Sequence, residues 1–268
     1  ISGLSFLWST GETTNNIYVS PTVTTTYTVT ITNGLGCSDE LSITITVEDC
    51  SGAVECKFID KPGDSDIGRN VVPTIDGGFT IVGDLNRSAT DMQNYWLKYD
   101  ASFVNQFNST FGNAISGQTT YIYNESAYSV LPVEDGYLII GTVLNPGADY
   151  DFQITKLSLT GTLMWRSRYL PSTGYPNRND HGRKLVRMQT GGGYRYFAVG
   201  YTNSFAQSTT DYNAFVMQFD PTTGNQISIN TFGMTGTSEQ VYDAIVDNTN
   251  SHILLAGETI SATGNRDM

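Results

Sequence analysis

Four short acidic or amide pairs recur along the sequence: Asp91-x-Gln93, Asp149-x-Asp151, Asp211-x-Asn213 and Asn265-x-Asp267. Calcium takes roughly 6–8 oxygen ligands, and loops rich in carboxylates and amides are where it finds them. Only the second pair keeps both carboxylates, so the calcium candidates are Asp149 and Asp151, with Asp211 from the third pair. Asp and Asn side chains also bond nearby backbone N–H groups and set turns, and a turn at each place explains all four pairs without an ion. The sequence requires no cofactor and leaves calcium as the one to test.

No other constellation selects a reaction. His181 and His252 stand 71 positions apart, and neither has a cysteine nucleophile or a Gly-x-Ser-x-Gly elbow to serve. Both are read as surface or turn residues, and no catalytic residue is assigned. The cysteines are Cys37, Cys50 and Cys56. With two distant histidines they make no zinc pattern, and they suit an exported chain better than a metal site. A disulfide between Cys50 and Cys56 is favoured, closing a small loop around Gly52. The other pairing joins one of them to Cys37 or to a cysteine upstream of Ile1.

Charge narrows the partners. Acids outnumber bases 26 to 14, for a net charge of −12, and no Lys or Arg precedes Lys57. Such a surface repels phosphate backbones and anionic lipid heads, so the expected partners exclude nucleic acid. No run of 18 apolar residues is present, and no membrane insertion by this segment is expected.

The elements that position these groups are strands. Thr, Tyr, Val, Ile and Phe abound, 27 glycines supply turns, and the apolar period is two throughout. Leu4–Trp8 and Ile17–Ser20 read as short strands. Tyr27, Val29 and Ile31 alternate with threonines, as do Ile43, Ile45 and Val47, so the apolar sets are expected to face a core. Trp8-Ser9-Thr10-Gly11-x-Thr13-Thr14, then Ile17-x-Val19-x-Pro21, Thr25–Thr30 and Gly36-Cys37 resemble the immunoglobulin-like repeats of Bacteroidota surface and gliding-motility-type proteins. The resemblance implies that residues 1–49 are the C-terminal part of an Ig-like β-sandwich. It also implies that Cys37 pairs with a cysteine near the domain's start, upstream of this chain.

Beyond a linker at 50–56 the chain repeats. The glycines of Ile81-Val82-Gly83, Ile139-Ile140-Gly141, Ala198-Val199-Gly200 and Leu255-Ala256-Gly257 are spaced by 58, 59 and 57 residues. Each follows a turn, and each repeat holds four short strands. A repeat of that length and content predicts the blade of a β-propeller. Residues 57–268 are therefore read as a propeller segment: a latch strand at Cys56–Ile59, complete blades at 68–112, 126–171 and 183–233, and a fourth that stops at its third strand. No α-helix longer than about two turns is expected. The inner strands would carry Asn70, Ser129, Lys184 and Asp243 toward a central channel, with Arg69 and Arg183 beside two of them. These residues differ from repeat to repeat and form no repeated ring of ligands. Tyr95, Trp96, Tyr99, Trp165, Phe219 and Phe232 are expected in the blade cores.

The repeats are similar to those of large exported Bacteroidota proteins, which implies a secreted or cell-surface protein carried by the type IX secretion system. The function expected is a non-enzymatic, adhesin-like or structural protein with the propeller as its binding module. Its partner would be a protein or carbohydrate at the cell surface, or the secretion or gliding machinery. The alternative is a secreted glycosidase or lyase with its site in the channel.

Overall fold

The computed structural model describes residues 3–47, 65–88, 91–111, 124–144, 149–169, 178–204, 211–249 and 251–268. Those residues form strands and turns with no helix, and every strand pairing is antiparallel. The chain divides into two compact units, Ile1–Ile59 and Asp60–Met268. The expected linker at 50–56, the latch strand and the Cys50–Cys56 pairing lie outside the described residues.

In the first unit β1 (Leu4–Trp8), β2 (Thr25–Asn33) and β3 (Ser38–Ile45) form one sheet in the order β1-β2-β3. Alternation sets its two faces. Thr26 and Thr44 are directly opposed and share a hydroxyl hydrogen bond of 2.7 Å, as Thr32 and Ser38 do at 2.8 Å. On the other face Tyr27 and Val29 are buried. Two expectations are corrected. Ile17–Ser20 is not a strand. Ile43 of β3 does not face a core: it is 61% exposed, as is its neighbour on the same face, Leu41, at 59%, while Ile45 is half-buried. The physical reason is position. Val29, in the central strand, has Trp8 opposite it on one side, whereas β3 is an edge, and among the described residues of this unit no second sheet covers it. Cys37 is an exposed free thiol.

The second unit is four sheets built to one plan. The first is β4 (Ser65–Pro73), β5 (Phe79–Ser88), β6 (Asp91–Tyr99) and β7 (Asn105–Phe111). The second is β8 (Glu125–Val133), β9 (Gly136–Leu144), β10 (Tyr150–Ser158) and β11 (Leu163–Tyr169). The third is β12 (Asp180–Thr190), β13 (Gly193–Thr202), β14 (Asn213–Phe219) and β15 (Gln226–Phe232). The fourth is β16 (Ser238–Asp247), β17 (His252–Ile260) and the short β18 (Arg266–Asp267). In each, strands follow one another in sequence order from one edge, and no sheet closes on itself.

Successive sheets pack face on face. β8 lies on β4, β5 and β6; β12 on β8, β9 and β10; β16 on β12, β13 and β14. The cores sit at these junctions. Val82 and Trp96 pack with Val130, Tyr137, Ile139 and Leu157; Ile140, Phe152 and Ile154 pack with Leu185, Ala198 and Phe215; Val199 and Ala214 pack with Val241 and Ala244. A strand with a sheet on each side must be apolar on both faces, and β9 is buried along its length up to Leu144. Trp96 and Phe219 lie in the cores as expected, and Trp165 is half-buried with its Nε1–H donating to the Pro221 carbonyl at 3.2 Å. Phe232 departs from expectation at 52% exposed, because it ends an edge strand.

Candidate functional site

The four glycines of the repeat share one register position, and the neighbouring chain explains why. Gly83, Gly141, Gly200 and Gly257 pair with Gly68, Ala127, Gly182 and Val241. Immediately after those partners each edge strand carries a β-bulge, one residue that no residue of the second strand opposes. The bulge brings a backbone carbonyl onto the glycine. A Cβ there would lie 1.8 Å from the Ile67 oxygen, 2.1 Å from Ser126, 1.9 Å from His181 and 2.1 Å from Gln240.

The extra residues of the four bulges are Arg69, Tyr128, Arg183 and Tyr242, alternating in type, and they meet. The Arg69 guanidinium carbon lies 4.7 Å from the centre of the Tyr128 ring. That of Arg183 lies 4.0 Å from the same ring and 5.9 Å from the ring of Tyr242. A cation over an aromatic face is attracted by the ring quadrupole, so the four residues form a ladder across the four edge strands.

A second column supports the first. The residue after each glycine is Asp84, Thr142, Tyr201 or Glu258, and in three repeats it bonds the bulge residue. Arg69 donates to Asp84 Oδ2 through Nε at 2.7 Å and NH2 at 2.5 Å; Arg183 NH2 donates to the Tyr201 hydroxyl at 2.5 Å; the Tyr242 hydroxyl donates to Glu258 Oε1 at 2.6 Å. Burial works against the Arg69 charge, and its bonds to Asp84 outweigh that, leaving its pKa above the ordinary value. Burial first, then the Glu258 carboxylate, push the Tyr242 hydroxyl up to about 12. The second repeat is the exception. No bond joins Tyr128 to Thr142, and Thr142 Oγ1 is buried without a hydrogen-bond partner.

The two arginines are not equivalent. Arg69 is neutralised by Asp84, which is itself 1% exposed. Arg183 has no carboxylate within ion-pair distance among the described residues; it bonds Tyr201, and its Nε is buried without a partner. Both border a cavity of about 380 Å³, where Tyr128, Thr142, Tyr150 and His181 also stand. His181 is thereby corrected from a surface or turn residue. It lies within β12 (Asp180–Thr190), its ring 4.7 Å from that of Tyr201 and 5.3 Å from that of Tyr150. Burial, then the Arg183 charge, lower its pKa to about 3, so it is a neutral packing group at physiological pH. A larger cavity of about 670 Å³ lies at the hairpin turns of the first two sheets, but the buried cation on its wall, Lys98, is already paired with Asp76 at 2.8 Å.

The residues expected to face a channel turn to their neighbours instead. Asn70 Oδ1 accepts from the Val130 N–H at 3.0 Å, Ser129 Oγ from the Leu185 N–H at 3.4 Å, and Lys184 pairs with Asp243 at 2.8 Å. They stitch each edge strand to the next. Of the calcium candidates, Asp149 and Asp151 lie near Asp180, whose carboxyl is pushed up to about 6 by burial first and by those two acids last. Asp211 borders a different cavity, beside Tyr212 and Ser238. Among the described residues no group of three or more His, Cys, Asp or Glu is placed to hold a metal ion. The ladder was findable from sequence only by aligning the repeats on their glycines and reading the column before Asn70, Ser129, Lys184 and Asp243. No protein-family model and no curated protein matches this chain.

Proposed function

We propose that the second unit is a run of β-propeller blades acting as a non-enzymatic binding module, in a secreted or cell-surface protein of the Bacteroidota type that the sequence resembles. The blade reading rests on four sheets of one strand order, the last three each packed through the first strand on the sheet before. In that reading a neighbouring blade covers each outer face, which accords with Val71 at 60% and Ile245 at 62% exposure while Val130 and Leu185 are buried. The first unit, with its Ig-like pattern, serves as a spacer.

The observation that carries the binding role is the ladder of Arg69, Tyr128, Arg183 and Tyr242 beside a cavity. Aromatic faces and guanidinium donors on a rigid set of edge strands suit recognition of a carbohydrate or protein surface. The test is binding of the immobilised chain to a panel of extracellular polysaccharides and surface proteins, with product analysis of each polysaccharide. Saturable binding that leaves the polysaccharide chains intact is expected. Shortened products would overturn the reading in favour of a glycosidase or lyase, and binding to no member of the panel would overturn it outright.

A further inference from the structure

We infer that the 380 Å³ cavity at the second sheet is a site for a carboxylate-bearing sugar, its carboxylate paired with the guanidinium of Arg183. The inference rests on the binding-module reading and names the ligand class of that same site.

Charge selects the carboxylate. A guanidinium partly withdrawn from water without an acidic partner is costly, and a ligand anion supplies what the protein does not. Arg69, which packs on the same Tyr128 ring, is already balanced by Asp84, so the site offers one uncompensated positive charge. One charge matches a carboxylate and falls short of a phosphate dianion. The attraction must be local, because a net charge of −12 repels anions at long range and salt screens that field beyond roughly 8 Å at physiological ionic strength.

The rest of the wall selects a sugar. Tyr150, 37% exposed, is an aromatic group of the kind on which a pyranose lies, and Asn124, Ser126 and Thr142 bring amide and hydroxyl groups to the same wall. Thr142 Oγ1 is buried with no partner, a second orphaned polar atom on the same wall as Arg183. The volume falls within the roughly 300–1,000 Å³ of small-ligand sites.

The experiment titrates the full chain with D-glucuronate, with D-glucose as its neutral twin and inorganic phosphate as the competing anion, by calorimetry at fixed salt. Glucuronate is expected to bind saturably, with glucose and phosphate each weaker by about tenfold or more. Arg183→Gln should lower glucuronate affinity about 10- to 100-fold, the value of one charge-assisted hydrogen-bonded pair. Thr142→Val, close in shape to the wild type and so a check on folding, should lower it severalfold. Equal binding of glucose, preference for phosphate, or glucuronate affinity unchanged in Arg183→Gln overturns the site. If the panel finds a neutral polysaccharide that binds while glucuronate does not, this inference falls and the binding-module reading stands.

Discussion

The Arg183 guanidinium carbon lies 4.0 Å from the centre of the Tyr128 ring, and each of these residues is the unopposed residue of a bulge in the edge strand of its own sheet. Tyr128 also receives Arg69, so one ring faces two cations. Each such contact contributes about 0.5–2 kcal/mol. Tyr128→Leu should therefore cost about 1–3 kcal/mol in urea unfolding, while Tyr128→Phe, which keeps the ring, should stay within about 0.5 kcal/mol of wild type. Equal losses in both variants would show that the hydroxyl, not the ring, matters.

Gly141 stands against the Ser126 carbonyl, 2.1 Å from where an added Cβ would lie. That contact is with backbone, which cannot swing aside as a side chain does. Gly141→Ala should destabilise by on the order of 3 kcal/mol, against the few tenths expected of Gly191→Ala, where nothing lies within 4 Å of the added carbon. Thermal unfolding of the two variants makes the comparison.

Lys156 is a nearly buried ammonium, 4% exposed, held at 2.7 Å by Asp135, which is 58% exposed. Removing the acid strands the buried cation, so Asp135→Ala should cost about 1–3 kcal/mol. Lys156→Met keeps the packing without the charge and should cost less. Chemical denaturation of both variants checks the order, and a costlier Lys156→Met would reverse the argument.

The Asp180 carboxyl, buried among Thr202, Ser204, Asp151 and Asp149 with Tyr212 near, is pushed up to about 6. A carboxyl raised above its unfolded value of about 3.9 fits the folded state best when protonated. Its contribution is complete below pH 4 and is lost as pH rises through about 6. Asp180→Asn keeps an acceptor for the Thr202 and Ser204 hydroxyls without the charge. Its Tm should exceed that of wild type at pH 8, with the gap closing toward pH 4. A gap independent of pH would contradict the assignment.

What could be read in advance divides along physical lines. The glycine spacing was legible because each bulge excludes a Cβ by backbone contact, a constraint that repeats whatever the neighbouring side chains are. The ladder was hidden because the bulge residues alternate between Arg and Tyr, and because an extra residue disturbs the period-two pattern at that point. Asn70, Ser129 and Lys184 were correctly placed on edge strands but aimed wrongly, since they bond the adjoining strand. His181 was misread because isolation in sequence says nothing of Tyr150, Tyr201 and Tyr212, which surround it in space. Ile43 was misread because alternation fixes which face a side chain joins and leaves open whether anything covers that face.

The central claim is that the edge strands at the bulges form the binding surface. Hydrogen exchange of the full chain with and without the member of the polysaccharide and protein panel that binds it measures it most directly. The account predicts that added protection concentrates at residues 67–70, 126–129 and 181–184. Protection confined to the hairpin turns at 74–78 and 133–136, or no change at any amide, would contradict it.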